Sequence, residues 1–347
     1  MASERRANRV ERTPDDIITP TMDVSVLVPI YNDWESLSLL LPALNAEVTP
    51  TAHVLHLVVI DDGSTDRGPE EILDPSLTAF SSESRLRLKS NLGHQRAIAT
   101  GLSWISSNTK TDAVVVMDGD GEDKPSDVPR LLEAFLESKT AVFAERARRS
   151  ESTVFKVFYF LYRWMHLIAT GLPVKIGNFS ILSPADVQGL VVSNYLWYHY
   201  AATVVRTRTP YRMIGTARGD RYRGASKMNF VAFVRHGLSA IAVHSEVLSV
   251  RLLIVCGVLT CLCLGALGAC LWTRLFTQLA IPGWATMTSG LIVIFLLQLL
   301  SVAFIFVMQS VSIHGSAGFL PVRDSGLFLL SVQQRTLRTA AMDWTNR

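Results

Sequence analysis

Cysteine is scarce in this chain, and its net charge is small. All four cysteines of the 347 residues lie between positions 256 and 270, inside one apolar run. This placement excludes a disulfide framework and a cysteine zinc site. The net charge of +3 is too low to indicate a nucleic-acid-binding protein, so no nucleic acid is expected as a partner. The sequence also lacks internal repeats and low-complexity segments.

The amino-terminal segment lacks an apolar core. It begins MASERRANRVERTPDD, a basic and polar stretch that is not typical of a secretory signal. We interpret residues 1–21 as a disordered basic arm.

Long hydrophobic runs are confined to the last third of the sequence. Leu252–Trp272 and residues 286–313 carry no charged side chain, and each could cross about 30 Å of hydrocarbon as a helix. We predict a juxtamembrane helix at 228–246, a transmembrane hairpin at 247–313 and a cytosolic tail at 314–347.

Arginines flank both runs and indicate the orientation. They are Arg235 and Arg251 before the first run, and Arg323, Arg335 and Arg338 after the second. The positive-inside rule therefore places both termini and residues 22–227 in the cytoplasm, with two spans in the cell membrane. Within the tail, Phe319–Val332 could lie along the membrane.

Short apolar runs alternate with helical patterns in the first part of the chain. The β-rich runs are Val24–Ile30, Val54–Ile60 and Ala113–Met117, and the helical patterns are Trp34–Leu44 and Gln95–Ile105. This alternation predicts an α/β fold with a mainly parallel sheet. Because ligands bind beyond the carboxyl ends of such strands, the residues after each run are the candidates for chemistry.

A dense acidic turn, DGDGED at 118–123, follows the third run. Its carboxylates would repel one another unless a cation neutralised them, and hard oxygen ligands suit Mg²⁺ or Mn²⁺. An EF-hand is excluded because Asp123 and Pro129 stand where that loop needs Gly and Glu. The alternative is a solvated turn that caps a helix after Pro125.

Residues 153–170 combine a basic and polar stripe with a wide aromatic face. This pattern predicts an amphipathic helix in the membrane interface, and a helix packed on the sheet is the alternative.

Several motifs occur in chain order at the predicted strand ends. They are Pro29 to Asp33, DDGSTD at 61–66, NLGHQRA at 91–97, MDGD at 117–120, GNFSILS at 177–183 and RYRGASK at 221–227. In this order, and followed by two apolar runs, they resemble family 2 glycosyltransferases of the GT-A fold. Within that family they look like the polyprenyl-phosphate branch, the dolichol-phosphate mannose synthases and undecaprenyl-phosphate glucosyltransferases. The resemblance covers residues 22–312.

The resemblance implies a GT-A nucleotide-sugar-binding domain at 22–227 and a UDP- or GDP-linked donor. The residues that would bind the donor are Pro29, Tyr31, Asp33, Asp61, Asp118 and Arg96, and an exposed helix arginine is the alternative for Arg96. The residues that would bind Mg²⁺ or Mn²⁺ are Asp118, Asp120 and Glu122. The chain departs from the family twice, because Glu is commoner at position 33 and Gln is common at position 122.

The acceptor is expected to be a lipid phosphate. A phosphate with a second pKa of about 6 is already anionic at neutral pH and needs no general base. No acid suited to that role follows the GNF segment. The residues that could bind the phosphate are Arg146, Arg221, Ser226 and Lys227. We expect Asp120, Arg221 and Lys227 to be catalytic, and His94, His199 and His244 to be structural.

The leading hypothesis is metal-dependent, inverting transfer of a sugar from a nucleotide sugar to a polyprenyl phosphate at the cytosolic membrane face. The inversion is implied by the family. One alternative is transfer to a glycan hydroxyl, but such enzymes usually carry Gln-x-x-Arg-Trp, and Phe160 stands in place of that Gln. Another is a non-catalytic nucleotide- or lipid-binding scaffold, against which the Asp118 and Asp120 pair argues. A homo-oligomer is left open.

Overall fold

The protein is described by a computed structural model that covers residues 21–147, 160, 164, 166–168, 170–171, 176–223, 230–277, 283–315 and 318–337. Its centre is an eight-stranded sheet with the order β7-β5-β6-β4-β1-β2-β3-β8. The strands are β1 (Asp23–Ile30), β2 (Val54–Asp61), β3 (Phe80–Leu88), β4 (Ala113–Val116), β5 (Ala141–Ala147), β6 (Ser180–Leu182), β7 (Tyr211–Ala217) and β8 (Leu329–Thr336).

Most strand pairs in this sheet are parallel. Strand β1 pairs in parallel with β2 and β4, β2 with β3, and β5 with β7. Strand β6 runs antiparallel to β4 and β5, and β8 runs antiparallel to β3. The predicted α/β fold with a mainly parallel sheet is therefore confirmed.

Helices cover both faces of the sheet. The helices of this part are α1 (Trp34–Val48), α2 (His94–Asn108), α3 (Val128–Ser138), α4 (Pro184–Val191) and α5 (Tyr200–Arg206). The apolar faces of α1 and α3 pack on one side of the sheet and those of α2 and α4 on the other, which gives two hydrophobic cores. Strand β1 lies between them, with Val26 in the first core and Leu27 in the second. A strand buried on both faces is apolar throughout, which explains the runs in the sequence.

Two long apolar helices follow a shorter one. They are α6 (Phe230–Ala242), α7 (Ser245–Phe276) and α8 (Trp284–Gly315). Helices α7 and α8 are long and apolar enough to cross a membrane, and only 11% and 6% of their most apolar windows are buried. That exposure is opposite to what a core helix of a soluble protein would show. The predicted single helix 228–246 is divided, because α7 already begins at Ser245.

The start of α7 is attached to the sheet domain through Glu246. The Arg206 guanidinium lies 2.9 Å from the Glu246 carboxylate and donates to the Tyr195 hydroxyl at 2.9 Å. The Tyr195 hydroxyl in turn donates to Glu246 at 2.8 Å.

The segment after α8 returns to the sheet. A single helical turn, α9 (Pro321–Asp324), leads into β8, which pairs with the edge of β3. We name residues 318–337 the carboxyl-terminal strap. Strand β8 of the predicted tail belongs to the same sheet as the strands of residues 22–227, and the placement of Phe319–Val332 along the membrane stays a prediction. Pairing with β3 satisfies backbone groups that an open edge would expose to water.

The predicted interfacial helix at 153–170 is described at six positions, all helical: 160, 164, 166–168 and 170. Phe160, Trp164 and Ile168 are exposed, whereas His166 and Thr170 are buried. Arg251 of α7 donates to the Ile168 carbonyl, so this helix contacts the first apolar helix. The basic arm at 1–20, together with Ser226 and Lys227, lies outside the described residues.

Candidate active site

The end of β1 and the loop after β2 form one surface. Asn32 has a left-handed backbone, with φ of 49°, and its side-chain oxygen accepts from the Thr65 N–H at 2.9 Å. Its own N–H donates to the Ser64 hydroxyl at 2.9 Å. Pro29 lies within β1 opposite Ile60. Tyr31, at the strand end, keeps 38% of its surface exposed, which leaves its ring accessible to a ligand.

Asp61 lies beneath this surface, in the interior of the domain, and holds the loop after β2 in place. Its side chain is fully buried, and one carboxylate oxygen accepts from the Ser64 N–H at 2.8 Å. The other oxygen lies 3.6 Å from Arg87 Nε and 3.8 Å from an Arg85 Nη. The predicted donor residue Asp61 therefore orders the loop and is balanced by two arginines of β3.

Asp62, which the sequence analysis did not select, connects this loop to α2. Its carboxylate accepts from the N–H groups of Leu92 at 2.7 Å and Gly93 at 2.9 Å. Burial raises the pKa of Asp62 to about 6, although both N–H groups act in the opposite direction. Gly63 packs against the neighbouring segment with φ of 69°, and a Cβ there would lie 2.6 Å from the Ser90 carbonyl carbon. The start of α2 is thereby fixed beside the strand ends.

His94, the first residue of α2, contacts the acidic turn. Its Nε2 lies 3.2 Å from the Asp118 carboxylate and 2.9 Å from the Asn178 side-chain nitrogen. Desolvation opposes protonation of the ring, but the charges of Asp118, Asp123 and Asp120 outweigh it and raise the pKa of His94. Because 41% of the side chain is exposed, we attribute the shift mainly to the direct contact with Asp118.

Arg221 joins two of the predicted site residues. Its guanidinium lies 3.1 Å from the Asp33 carboxylate and 3.0 Å from the Asp120 carboxylate. Burial and the charge of Asp118 raise the pKa of Asp120, and Arg221 opposes that shift. The structure thus brings together Asp33 at the end of β1 and Asp120 after β4, as expected for neighbouring strand ends.

The segment 218–223 covers the acidic turn through backbone contacts as well. The N–H of Tyr222 donates to the Asp120 carbonyl at 2.9 Å, and the N–H of Gly219 donates to the Glu122 carbonyl at 2.8 Å. Arg218, which the sequence did not indicate, pairs with the Glu122 carboxylate at 2.5 Å.

The predicted metal ligands Asp118, Asp120 and Glu122 offer the oxygen chemistry that Mg²⁺ and Mn²⁺ prefer. Within the described residues, however, no group of three or more His, Cys, Asp or Glu side chains is arranged to hold a metal ion. The three carboxylates instead contact His94, Arg221 and Arg218. The ligand chemistry fits a divalent cation, whereas the arrangement pairs the carboxylates with protein cations.

The remaining predicted residues lie around this centre or outside the described part. Arg96 is exposed on the first turn of α2, with its guanidinium 5.6 Å from the centroid of the Trp197 ring. Arg146 belongs to β5, and its side chain is not among those described.

His199 and His244 have structural contacts. His199 Nδ1 accepts from the Ala202 N–H and caps α5, and its other nitrogen lies 3.2 Å from His236. Burial, then the neighbouring His236, lowers the pKa of His199 to about 3. Burial, then Arg206, lowers the pKa of His244 to about 4. Both rings are therefore neutral at physiological pH.

Comparison with known proteins gives matches to part of the chain. Residues 25–184 match the model of glycosyl transferase family 2. An undecaprenyl-phosphate 4-deoxy-4-formamido-L-arabinose transferase of Photorhabdus laumondii is 27% identical over 216 residues, which cover 61% of this chain and 64% of that protein. The transferase of the same name from Edwardsiella ictaluri is 33% identical over 129 residues, which cover 37% of this chain and 38% of that protein. The chain thus spans less than two thirds of the length of these relatives.

Solved structures match this chain at lower sequence identity. The crystal structure of mannosyl-3-phosphoglycerate synthase from Rubrobacter xylanophilus is 14% identical, with a TM-score of 0.43, and covers 76% of this chain and 78% of that one. Glucosyl-3-phosphoglycerate synthase from Mycobacterium tuberculosis, in complex with Mn²⁺, UDP and phosphoglyceric acid, is 15% identical with a TM-score of 0.46 and covers 65% and 78%. The family match, the strand order and the acidic turn after β4 agree, and residues 25–184 are a glycosyltransferase family 2 domain with a GT-A-like α/β fold.

Proposed function

We propose that this protein transfers a sugar from a UDP- or GDP-linked donor to a polyprenyl phosphate at the cytosolic face of a membrane. The family 2 domain supports glycosyl transfer. The relatives named as undecaprenyl-phosphate transferases, together with two exposed apolar helices on the same chain, support a lipid phosphate acceptor.

The observation that carries the proposal is the position of Arg221 between Asp33 and Asp120. One guanidinium group, that of Arg221, contacts both Asp33 and Asp120. A ribose bound at Asp33 and a diphosphate bound near Asp120 would therefore lie close together. That span supports a nucleotide diphosphate lying across the strand ends. Arg221 also begins the RYRGASK run that leads to the apolar helices, so one segment connects the donor side with the membrane side.

The chain's own residues would bind the donor and balance its charge. Tyr31 and Asp33 would contact the base and ribose, on a loop that Asn32 and Asp61 hold in place. Arg96 and Arg221 would stabilise the negative charge that grows on the leaving diphosphate. A bound Mg²⁺ or Mn²⁺ would supply Lewis-acid stabilisation of the same charge, with Asp118, Asp120 and Glu122 as its proposed ligands.

The acceptor phosphate would attack without a general base, because it is already anionic. Arg146, Ser226 and Lys227 are the proposed phosphate ligands, and Lys227 is proposed to be catalytic with Asp120 and Arg221. A single direct displacement at the anomeric carbon would invert its configuration. Helices α7 and α8 are proposed to span the membrane, with both termini in the cytoplasm.

A direct assay tests the proposal. Purified full-length protein in lipid nanodiscs is incubated with a panel of UDP- and GDP-sugars, Mg²⁺ or Mn²⁺, and a polyprenyl phosphate, and the lipid fraction is analysed by mass spectrometry and NMR. We expect a polyprenyl-phosphate sugar of inverted anomeric configuration, formed only with a divalent cation. Transfer to a glycan hydroxyl only, or no transfer despite nucleotide binding, would refute it.

A further inference from the structure

The acidic turn is neutralised by cations of the protein itself. Asp120 forms an ion pair with Arg221, and Glu122 forms one with Arg218. The side chain of each acid is only 16% exposed. Ion pairs that are largely removed from water are costly to break on one side, because the remaining charge stays poorly solvated. These two arginines are therefore substantial counter-ions of the turn.

The arginines are positioned by the main chain. Tyr222 and Gly219 donate backbone hydrogen bonds to carbonyl groups of the turn, on either side of Gly121. Gly121 has φ of 89°, and a Cβ there would lie 2.6 Å from the Tyr222 ring. A Cβ on Gly219 would lie 2.3 Å from the Gly121 carbonyl oxygen. The acidic turn and residues 218–223 can pack this closely only because Gly121 and Gly219 have no side chain. The ion pairs of Arg218 and Arg221 are therefore not chance contacts of long side chains.

A divalent cation on this turn would use the same carboxylates as the arginines. The Asp120 and Glu122 carboxylates that face Arg221 and Arg218 are the proposed metal ligands, so a metal and the two guanidinium groups compete for them. The two binding equilibria are therefore linked. A ligand that favours the metal-bound carboxylates weakens their ion pairs with the arginines, and the reverse also holds.

We propose that residues 218–223 form a latch, in which Arg218 and Arg221 serve as exchangeable counter-ions that a nucleoside diphosphate and its divalent cation displace from the acidic turn. Release frees Arg221 to bind the phosphate groups at the site only after the donor has bound. This second part rests on the proposed function, whereas the competition between the arginines and a divalent cation does not.

Mn²⁺ binding to the full-length protein in detergent, measured by electron paramagnetic resonance without nucleotide, tests the competition. We expect Arg221→Gln and Arg218→Gln to bind Mn²⁺ about tenfold more tightly than the unaltered protein, a change of about 1.4 kcal/mol. Arg221→Lys, which keeps the charge, should bind close to the unaltered protein. The matched control is Arg223→Gln: Arg223 lies in the same segment but pairs with Glu35 at 3.1 Å, with both side chains more than half exposed. Its Mn²⁺ affinity should stay unchanged.

A static scaffold predicts the opposite result. If the arginines only hold the turn in shape, Arg221→Gln and Arg218→Gln would bind Mn²⁺ as weakly as the unaltered protein, or more weakly, and the latch is refuted. Thermal unfolding of each variant, monitored by tryptophan fluorescence, shows that the comparison is made on folded protein. A variant that is unfolded is replaced by Arg218→Met or Arg221→Met, whose apolar stems keep the packing.

Hydrogen exchange gives a readout without substitutions. Adding UDP or GDP together with Mn²⁺ should accelerate amide exchange at Gly219 and Tyr222, whose N–H groups donate to the turn. Unchanged or slower exchange at both amides with saturating nucleotide and Mn²⁺ would overturn the latch. Either outcome is independent of product formation, so failure of the lipid assay and failure of the latch are distinguishable.

Discussion

The indole ring of Trp197 packs against the phenyl ring of Phe319 with their centroids 4.2 Å apart. Trp197 precedes both long apolar helices in the chain, and Phe319 follows them. Phe328 packs against both rings, with its centroid 5.1 Å from that of the indole and 5.9 Å from that of Phe319. The carboxyl-terminal strap is thus fastened to the sheet domain by an aromatic cluster as well as by β8.

Replacing Phe319 with alanine should destabilise the sheet domain. The substitution removes a half-buried ring and its contact with Trp197, for an expected loss of about 2 kcal/mol in the free energy of unfolding. Urea unfolding in detergent, followed by tryptophan fluorescence, measures it. Leu330→Ala on the same strap is the control, because this side chain is 58% exposed and should change stability by less than about 0.5 kcal/mol. Equal effects of both substitutions would contradict a role for the aromatic cluster.

Asp120→Asn should abolish most turnover while leaving the fold intact. The change keeps the size of the side chain but removes the charge that pairs with Arg221 and is proposed to hold the metal. We expect polyprenyl-phosphate sugar synthesis to fall by about 100-fold or more. Asp127→Asn, which removes an acid that pairs with Arg130 on the start of α3, is the matched control. Turnover within a few-fold of the unaltered protein in Asp120→Asn would exclude the role given to this carboxylate.

The stability that His199 and His244 contribute should decrease as the pH falls below about 6.5. The folded-state pKa values of His199 and His244, about 3 and about 4, lie below the ordinary value of 6.5. The unfolded chain therefore binds more protons in this range, and each histidine adds a slope of up to about 1.4 kcal/mol per pH unit. Their contribution is complete above pH 6.5 and is lost on acidification. The raised pKa values of Asp62, His94 and Asp120 act in the opposite direction, so the test compares urea unfolding of the unaltered protein with that of His244→Gln between pH 7.5 and 5. An equal pH dependence of both proteins would contradict the contribution of His244.

Arg206→Gln should raise the pKa of His244. Burial is the main cause of the lowered pKa, and the positive charge of Arg206 is the next. Removing that charge makes protonation less costly, so the histidine ring resonances of His244 should titrate at higher pH. Arg206 is not among the groups that lower the pKa of His199, so His199 serves as the internal reference. Those groups are His236, His166, His94 and His244. An unchanged titration of His244 would show that Arg206 does not contribute to its lowered pKa.

Gly63→Ala should weaken nucleotide binding. A Cβ at this position would meet the backbone of Ser90 and Asn91, and φ of 69° is strained for alanine. The loop that carries Asp62 would be pushed away from α2. We expect nucleotide affinity, measured by calorimetry, to fall about tenfold or more. Gly189→Ala is the matched control, since this glycine is in α4 with no atom within 4 Å of a new Cβ, and it should bind nucleotide normally.

The sequence predicted β1, β2 and β4 because strands covered on both faces must be apolar. It did not indicate β3, whose sequence FSSESRLRL alternates with polar residues, one of which, Glu83, is buried and accepts from the Leu73 N–H at 2.7 Å. Nor did it indicate β8, because LLSVQQRT is largely exposed and its partner strand is far away in the chain. Edge strands are stabilised by pairing more than by their own burial, so periodicity identifies them poorly.

The sequence predicted the positions of those candidate site residues that directly follow a strand. Asp33 and Asp120 both contact Arg221, as expected for residues that follow the neighbouring strands β1 and β4. Arg221 was assigned to the acceptor phosphate, yet it contacts the predicted donor and metal residues. That contact depends on how the segment after β7 folds back over the turn, and no local pattern specifies such a return.

The two apolar helices are joined to the sheet domain at both ends. At one end, Glu246 in the first turn of α7 pairs with Arg206, and at the other the strap follows α8 into the sheet. A sheet domain attached to the helices at one point could tilt in every direction. Attachment at two separate points restricts its motion to rotation about the line between them. With the helices in a bilayer, as proposed, the acidic turn and the strand ends beside it would stay at a nearly constant height above the lipid surface. The head group of the proposed acceptor, a lipid phosphate, would then have to reach that height above the lipid surface.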